Sequence, residues 1–74
     1  MTNFVGPVGE YLEQKGITTN QAAKMTGLSQ PTIWRHATGQ YQISIDAMEI
    51  YNSIFKISFK DMRAWNKKRK ETYG

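Results

Sequence analysis

Within the 22 residues from Thr18 to Gly39, "TTNQAAKMTGLSQPTIWRHATG", the chain carries two helix starts and two helix stops. Thr18 followed three residues later by Gln21 forms a capping box: the hydroxyl takes the Gln21 amide and the Gln21 side chain reaches back. Gly27 supplies the positive φ that closes the first helix in a tight turn. Ser29 restarts the chain as an N-cap, and Pro31 sits in the first turn, where its missing N–H costs little. Gly39 ends the second helix. Only Gly27, Leu28 and Ser29 separate the two, and Leu28 is expected to turn inward. Ala23, four residues before Gly27, and Ile33, six after it, place a small residue against a branched apolar one, so the helices are expected to cross closely.

Helical spacing also governs the rest of the chain. Helix 1 is expected to start near Pro7, with Val8, Tyr11, Leu12 and Lys15 on one face and Gly16 as its stop. Helix 4 is expected over residues 45–55, with Met48, Tyr51, Ile54 and Phe55 as its apolar stripe. Ser58 caps helix 5, Asp61 suits the positive end of that helix, and Phe59, Met62 and Trp65 form its apolar side. Lys67 to Lys70 suit its negative C-terminal end. Period-two alternation is confined to "YQISI", residues 41–45. The expected fold class is all-α, a compact five-helix domain.

Seventy-four residues make one small domain with a thin core. The domain is expected over residues 1–66, followed by a basic C-terminal tail over 67–74. Without cysteine and with a single His, the chain offers neither disulfides nor the usual zinc ligand sets, and no cofactor or metal is expected. No apolar run reaches the roughly 18 residues of a membrane span, and the first ten residues lack the pattern of a signal peptide. The expected location is the cytoplasm. The net charge is +4, and it is localised. Lys15, Lys24, Arg35 and Lys56 are balanced by Glu10, Glu13, Asp46 and Glu49, so the whole excess lies in residues 60–74. A basic end either attracts a polyanion or is simply a solvated helix end.

Two short capped helices meeting at a glycine turn make a helix-turn-helix arrangement. Gln21, Ala23, Gly27, Leu28, Ser29, Thr32, Ile33, Arg35 and Gly39 together resemble the helix 2, turn and recognition helix of the phage repressor and Cro-type helix-turn-helix DNA-binding family. "ISIDAMEIYNSIFKISFKDM" resembles the family's helix 4, short turn and helix 5. The likeness spans roughly residues 8–62. It implies a lambda-repressor-like architecture, with the helix-turn-helix at helices 2 and 3 and the recognition helix at about 30–37. Three positions depart from the pattern. Thr19 stands where a phosphate-contacting Gln is common, His36 where a large apolar residue is usual, and Ala37 where an acidic residue is frequent.

In such docking the first residues of the recognition helix meet base edges in the major groove, and helix 2 lies across the backbone. The expected base contacts are Gln30 (to adenine), Thr32 (its methyl to thymine), Trp34 and Arg35 (to guanine or a phosphate). Each has a plainer alternative. Gln30 and Thr32 are also ordinary polar first-turn residues, Arg35 suits a surface ion pair, and Trp34 suits packing on helix 4 or a dimer partner. The expected backbone contacts are Thr18, Thr19 and Ser29 at helix starts, Gln40, Tyr41 and Gln42 in the following loop, and Lys67 and Lys68. The first two are caps in their own right, and the loop is also a plain connection with Tyr41 packed on the core. His36 reads first as a satisfied, semi-buried histidine. The expected partner is a double-stranded DNA operator, bound by a weak or DNA-assisted homodimer, with no membrane and no small-molecule ligand. A protein-interaction module on the same fold, such as an antirepressor or an inhibitor of a host factor, is the alternative. A nonspecific nucleic-acid binder driven by the tail is the third reading. No phosphate loop, metal set or partner for the single His speaks for an enzyme.

Overall fold

The computed structural model describes residues 4–73. Five helices follow one another: α1 Gly6–Lys15, α2 Thr19–Thr26, α3 Gln30–Thr38, α4 Ile45–Phe55 and α5 Phe59–Tyr73. Among the described residues there is no strand. Residues 41–44 lead into α4, which Ile45 begins, because alternation in one isolated segment finds no second strand to pair with.

The helix ends follow the local chemistry of the sequence. Thr18 Oγ1 accepts from the Gln21 amide at 3.1 Å, and Gln21 Oε1 accepts from the Thr18 amide at 2.9 Å, so both halves of the capping box form. Ser29 Oγ accepts from Thr32 N, Ser44 Oγ from Ala47 N, and Ser58 Oγ from Asp61 N. Gly16, Gly27 and Gly39 close α1, α2 and α3 in the left-handed conformation. Lys56 does the same for α4 at φ 61°, without a glycine's freedom. Asn52 braces that turn by donating from Nδ2 to Ile57 O at 3.0 Å.

α1 packs on α3 and α5, α2 on α3 and α4, and α4 on α5. The core between them holds Val8, Leu12, Ala22, Ile33, Ala37, Ala47, Met48, Tyr51, Phe55 and Met62, closed by Ile43 and Ile57 from the connections. Phe59 and Trp65 pack at its edge as expected of α5. Ile54 departs from its expected place in the α4 stripe and is 38% exposed. Ala47, Met48, Tyr51 and Phe55 define that face, and at about 100° per residue Ile54 falls at its margin.

α1 and α3 approach so closely that a Cβ at Gly9 would stand 2.7 Å from the Ala37 carbonyl oxygen. The same carbonyl accepts from Val5 N at 2.8 Å, which ties the start of α1 to the end of α3. On the inner side of α3, His36 is buried at 6% exposure. Its Nδ1 lies 2.6 Å from Tyr51 Oη, with the rings edge to face. Burial pushes the His36 pKa down to about 4 and raises that of Tyr51 well above its usual value. His36 therefore takes a core position as a neutral imidazole with a hydrogen-bond partner on α4.

α5 runs unbroken through the boundary that the sequence places between residues 66 and 67. Residues 67–73 are thus helical, and Gly74 lies outside the described residues. Asn66 grips Ile43 with both ends of its amide: Oδ1 accepts from Ile43 N at 2.8 Å and Nδ2 donates to Ile43 O at 2.9 Å. Among the described residues no helix is long and apolar enough to cross a membrane.

Candidate nucleic-acid interface

α3 has two faces. Ile33, His36 and Ala37 are buried against α1, α2 and α4, whereas Pro31, Trp34 and Arg35 are exposed. This division follows from helical periodicity, since residues three and four apart share a face. The outward group is drawn together in space: Gln30, Pro31, Trp34, Arg35 and Gln40 line one open depression.

Gln30 Nε2 donates to Thr19 Oγ1 at 2.8 Å, linking the first residue of α3 to the first residue of α2. Among the described residues the Gln30 amide has no other side-chain partner, so Oε1 and one N–H remain, an acceptor and a donor of the kind that can pair with adenine. Thr32 is half-buried, and its hydroxyl pairs with Ser29 Oγ at 2.7 Å. Its γ-methyl is then the part of the side chain with no hydrogen-bonding duty. Thr38 Oγ1 turns back on the helix to Trp34 O at 2.7 Å.

Trp34 is 37% exposed and meets Phe4 edge to face, with ring centroids 5.9 Å apart. The packing partner is thus a residue ahead of α1 rather than one on α4. Arg35 forms a cation–π contact, with Cζ 5.0 Å from the Tyr41 ring centroid, and no ion pair among the described residues. Tyr41 is 57% exposed, so it lies outside the core and its ring serves the Arg35 face. Gln40 and Gln42 are exposed as well.

Thr18 is occupied as a cap, and its exposed position at the start of α2 leaves it accessible. Lys67 and Lys68 are exposed on α5. Lys68 lines a separate depression with Pro7, Glu10, Asp61 and Trp65, between α1 and α5. The structure therefore gathers Thr19, Ser29, Gln30, Thr32, Trp34, Arg35, Gln40 and Tyr41 into one linked region and leaves Lys68 in another.

Three contributors had no sequence signal. Phe4, Asn66 and Arg69 reach the region only through tertiary contacts, and nothing in their spacing indicates where those contacts lie. Arg69 donates from Nε to Gly39 O at 2.7 Å and from Nη2 to Gln40 O. A basic residue of the C-terminal run is therefore committed to the chain's own backbone.

Comparison with protein-family models, with curated proteins and with solved structures finds no match.

Proposed function

We propose that this chain is a sequence-specific regulator that binds double-stranded DNA, built on the helix-turn-helix plan of phage repressor and Cro-type proteins. α2 and α3 form the helix-turn-helix, and α3 enters the major groove. Gln30, Thr32, Trp34 and Arg35 face the bases. Thr18, Thr19, Ser29, Gln40, Tyr41 and Gln42 lie toward the phosphates, and Lys67 and Lys68 add salt-dependent attraction.

The observation that carries this reading is the division of α3. Its inner face is buried, while its outer face presents an amide, a guanidinium and an indole around one open depression. The Gln30–Thr19 bond supports it further, because it holds a base-reading amide at the first turn of the helix. Two copies on symmetric half-sites supply the contacts that a single short helix lacks.

Selection from a random duplex pool tests the reading. The expected outcome is an enriched two-fold sequence whose half-sites lie about 34–36 Å apart or a multiple of that. Arg35→Ala relaxes the preference at one base position. An unenriched pool, with no affinity even at low salt, sinks this function in favour of a protein-interaction module on the same fold. The exposure of two aromatic side chains near Arg35, Trp34 and Tyr41, is the observation that favours that second reading.

A further inference from the structure

The basic residues of α5 are not equivalent. Arg69 is half-buried, and its fork binds two successive carbonyls, those of Gly39 and Gln40. The amides of the same short segment point the other way. Gly39 N, Gln40 N and Tyr41 N all donate to the Arg35 carbonyl, the latter two at 3.1 and 3.4 Å. Residues 39–41 are thus held between Arg69 on one side and the Arg35 backbone on the other. Tyr41, which leaves this clamp, carries the ring that lies 5.0 Å from the Arg35 guanidinium. One helical turn earlier on α5, Asn66 fixes the far end of the loop at Ile43.

Resting on the reading of α3 as the DNA-contacting helix, we propose that Arg69 is a positioning residue for Arg35. It acts through the backbone of residues 39–41 and the Tyr41 ring, and it is not one of the phosphate contacts of the basic end. The planar fork is what the role needs. It reaches two carbonyls at once in fixed geometry, whereas a lysine ammonium is a single compact charge. Freed from the clamp, Tyr41 leaves Arg35 to sample more rotamers, and part of its binding contribution is lost to the entropy of ordering a long side chain.

The test uses the full chain with Arg69→Lys and Arg69→Ala, each alone and combined with Arg35→Ala. The probes are the duplex enriched from the random pool and a random duplex of equal length, titrated across salt. Arg69→Lys is expected to weaken binding to the enriched duplex about tenfold. It leaves random-duplex binding and the salt slope unchanged, and its effect vanishes in the Arg35→Ala background. An Arg69→Lys variant that binds like wild type, or effects that add to those of Arg35→Ala, overturns the proposal. So does a salt slope that drops by about 0.9 in Arg69→Ala and recovers in Arg69→Lys, which marks a phosphate contact. Should Arg69→Ala fail to fold, Arg69→Lys decides, because it keeps the charge and the aliphatic stem.

If the pool yields no enriched sequence, the DNA reading falls on its own. The clamp is then judged by NMR of Arg69→Lys. Faster amide exchange at Gln40, Tyr41 and Ile43 together with a displaced Arg35 Nε–H resonance sustains it, and an unchanged spectrum at those positions overturns it.

Discussion

Gln30 Nε2 donates to Thr19 Oγ1 at 2.8 Å across the junction of α2 and α3, and this bond decides which atoms of Gln30 remain free for a partner. The Thr19 hydroxyl thus ties the two helix starts together. Thr19→Val keeps the shape and removes the acceptor. It is expected to weaken binding to the enriched duplex about 3- to 10-fold, the scale of one hydrogen bond, with unfolding free energy changed by less than about 1 kcal/mol. Thr19→Ser restores binding. Equal affinities for the Val variant and wild type would show that Thr19 does not orient Gln30.

Gly9 and Gly27 are required for different reasons. At Gly27 a Cβ meets nothing within 4 Å, and only the φ of +79° resists a side chain. Gly27→Ala is expected to cost about 1–2 kcal/mol, and Gly27→Asn less, since Asn tolerates the left-handed region. At Gly9 the obstacle is the Ala37 carbonyl oxygen at 2.7 Å, so Gly9→Ala forces α1 away from α3. Although alanine is the better helix former by about 1 kcal/mol, a net loss of about 1–3 kcal/mol is expected from overpacking, and Gly9→Asn is worse still. Urea unfolding midpoints check both series. A Gly9→Ala variant more stable than wild type would mean that the two helices are free to separate.

The two glycines also mark how far the sequence was legible. Gly27 announces itself because capping residues flank it on both sides, and a chain that must stop one helix and start another within three residues needs a left-handed residue there. Gly9 sits inside a helical pattern, and its reason lies on α3. The same contrast holds throughout. All five helices could be read from caps and periodicity: Thr18, Ser29 and Ser58 act on amides three residues away, whereas helix 4 is legible in its apolar stripe and its cap, Ser44, emerges only in the structure. The grip of Arg69 on Gly39 and Gln40 spans 30 and 29 residues, and Asn66 reaches back 23 to Ile43. No local spacing encodes such contacts. A run of basic residues at a helix end therefore looks uniform in sequence, although one member is part of the fold.

The burial of His36 is expected to give the domain a specific acid sensitivity. Burial lowers its folded-state pKa to about 4 from 6.5. Between those values the unfolded chain holds a proton that the folded chain does not, so protonation pulls toward unfolding and stability rises with pH. The contribution is fully present above about pH 6.5 and is lost as pH falls toward 4, with a limiting slope of about 1.4 kcal/mol per pH unit. Urea unfolding at several pH values checks this against the double variant His36→Leu with Tyr51→Phe, which removes the proton acceptor and its partner together. The variant is expected to lose the steep part of the profile over that window. A profile identical to wild type would place the acid sensitivity elsewhere.

Arg35 and the lysine pair are expected to act on different quantities. Arg35 shares its depression with Gln30, Trp34 and Gln40, whereas Lys68 faces the α1–α5 depression and Lys67 is exposed on the same helix. Arg35→Ala should therefore cost about 1–3 kcal/mol of binding to the enriched duplex and relax the preference at one position. Lys67→Gln with Lys68→Gln should leave the preferred sequence intact and lower the salt slope by about 0.9 for each phosphate that a lysine neutralises. Point substitutions separate the two effects where truncation after Asn66 does not, because that cut also removes Arg69 and with it the clamp on residues 39–41. A lysine variant with altered base preference, or an Arg35→Ala variant that keeps it, would reverse the assignment. In that case sequence reading would belong to α5, and α3 would serve only to hold the backbone.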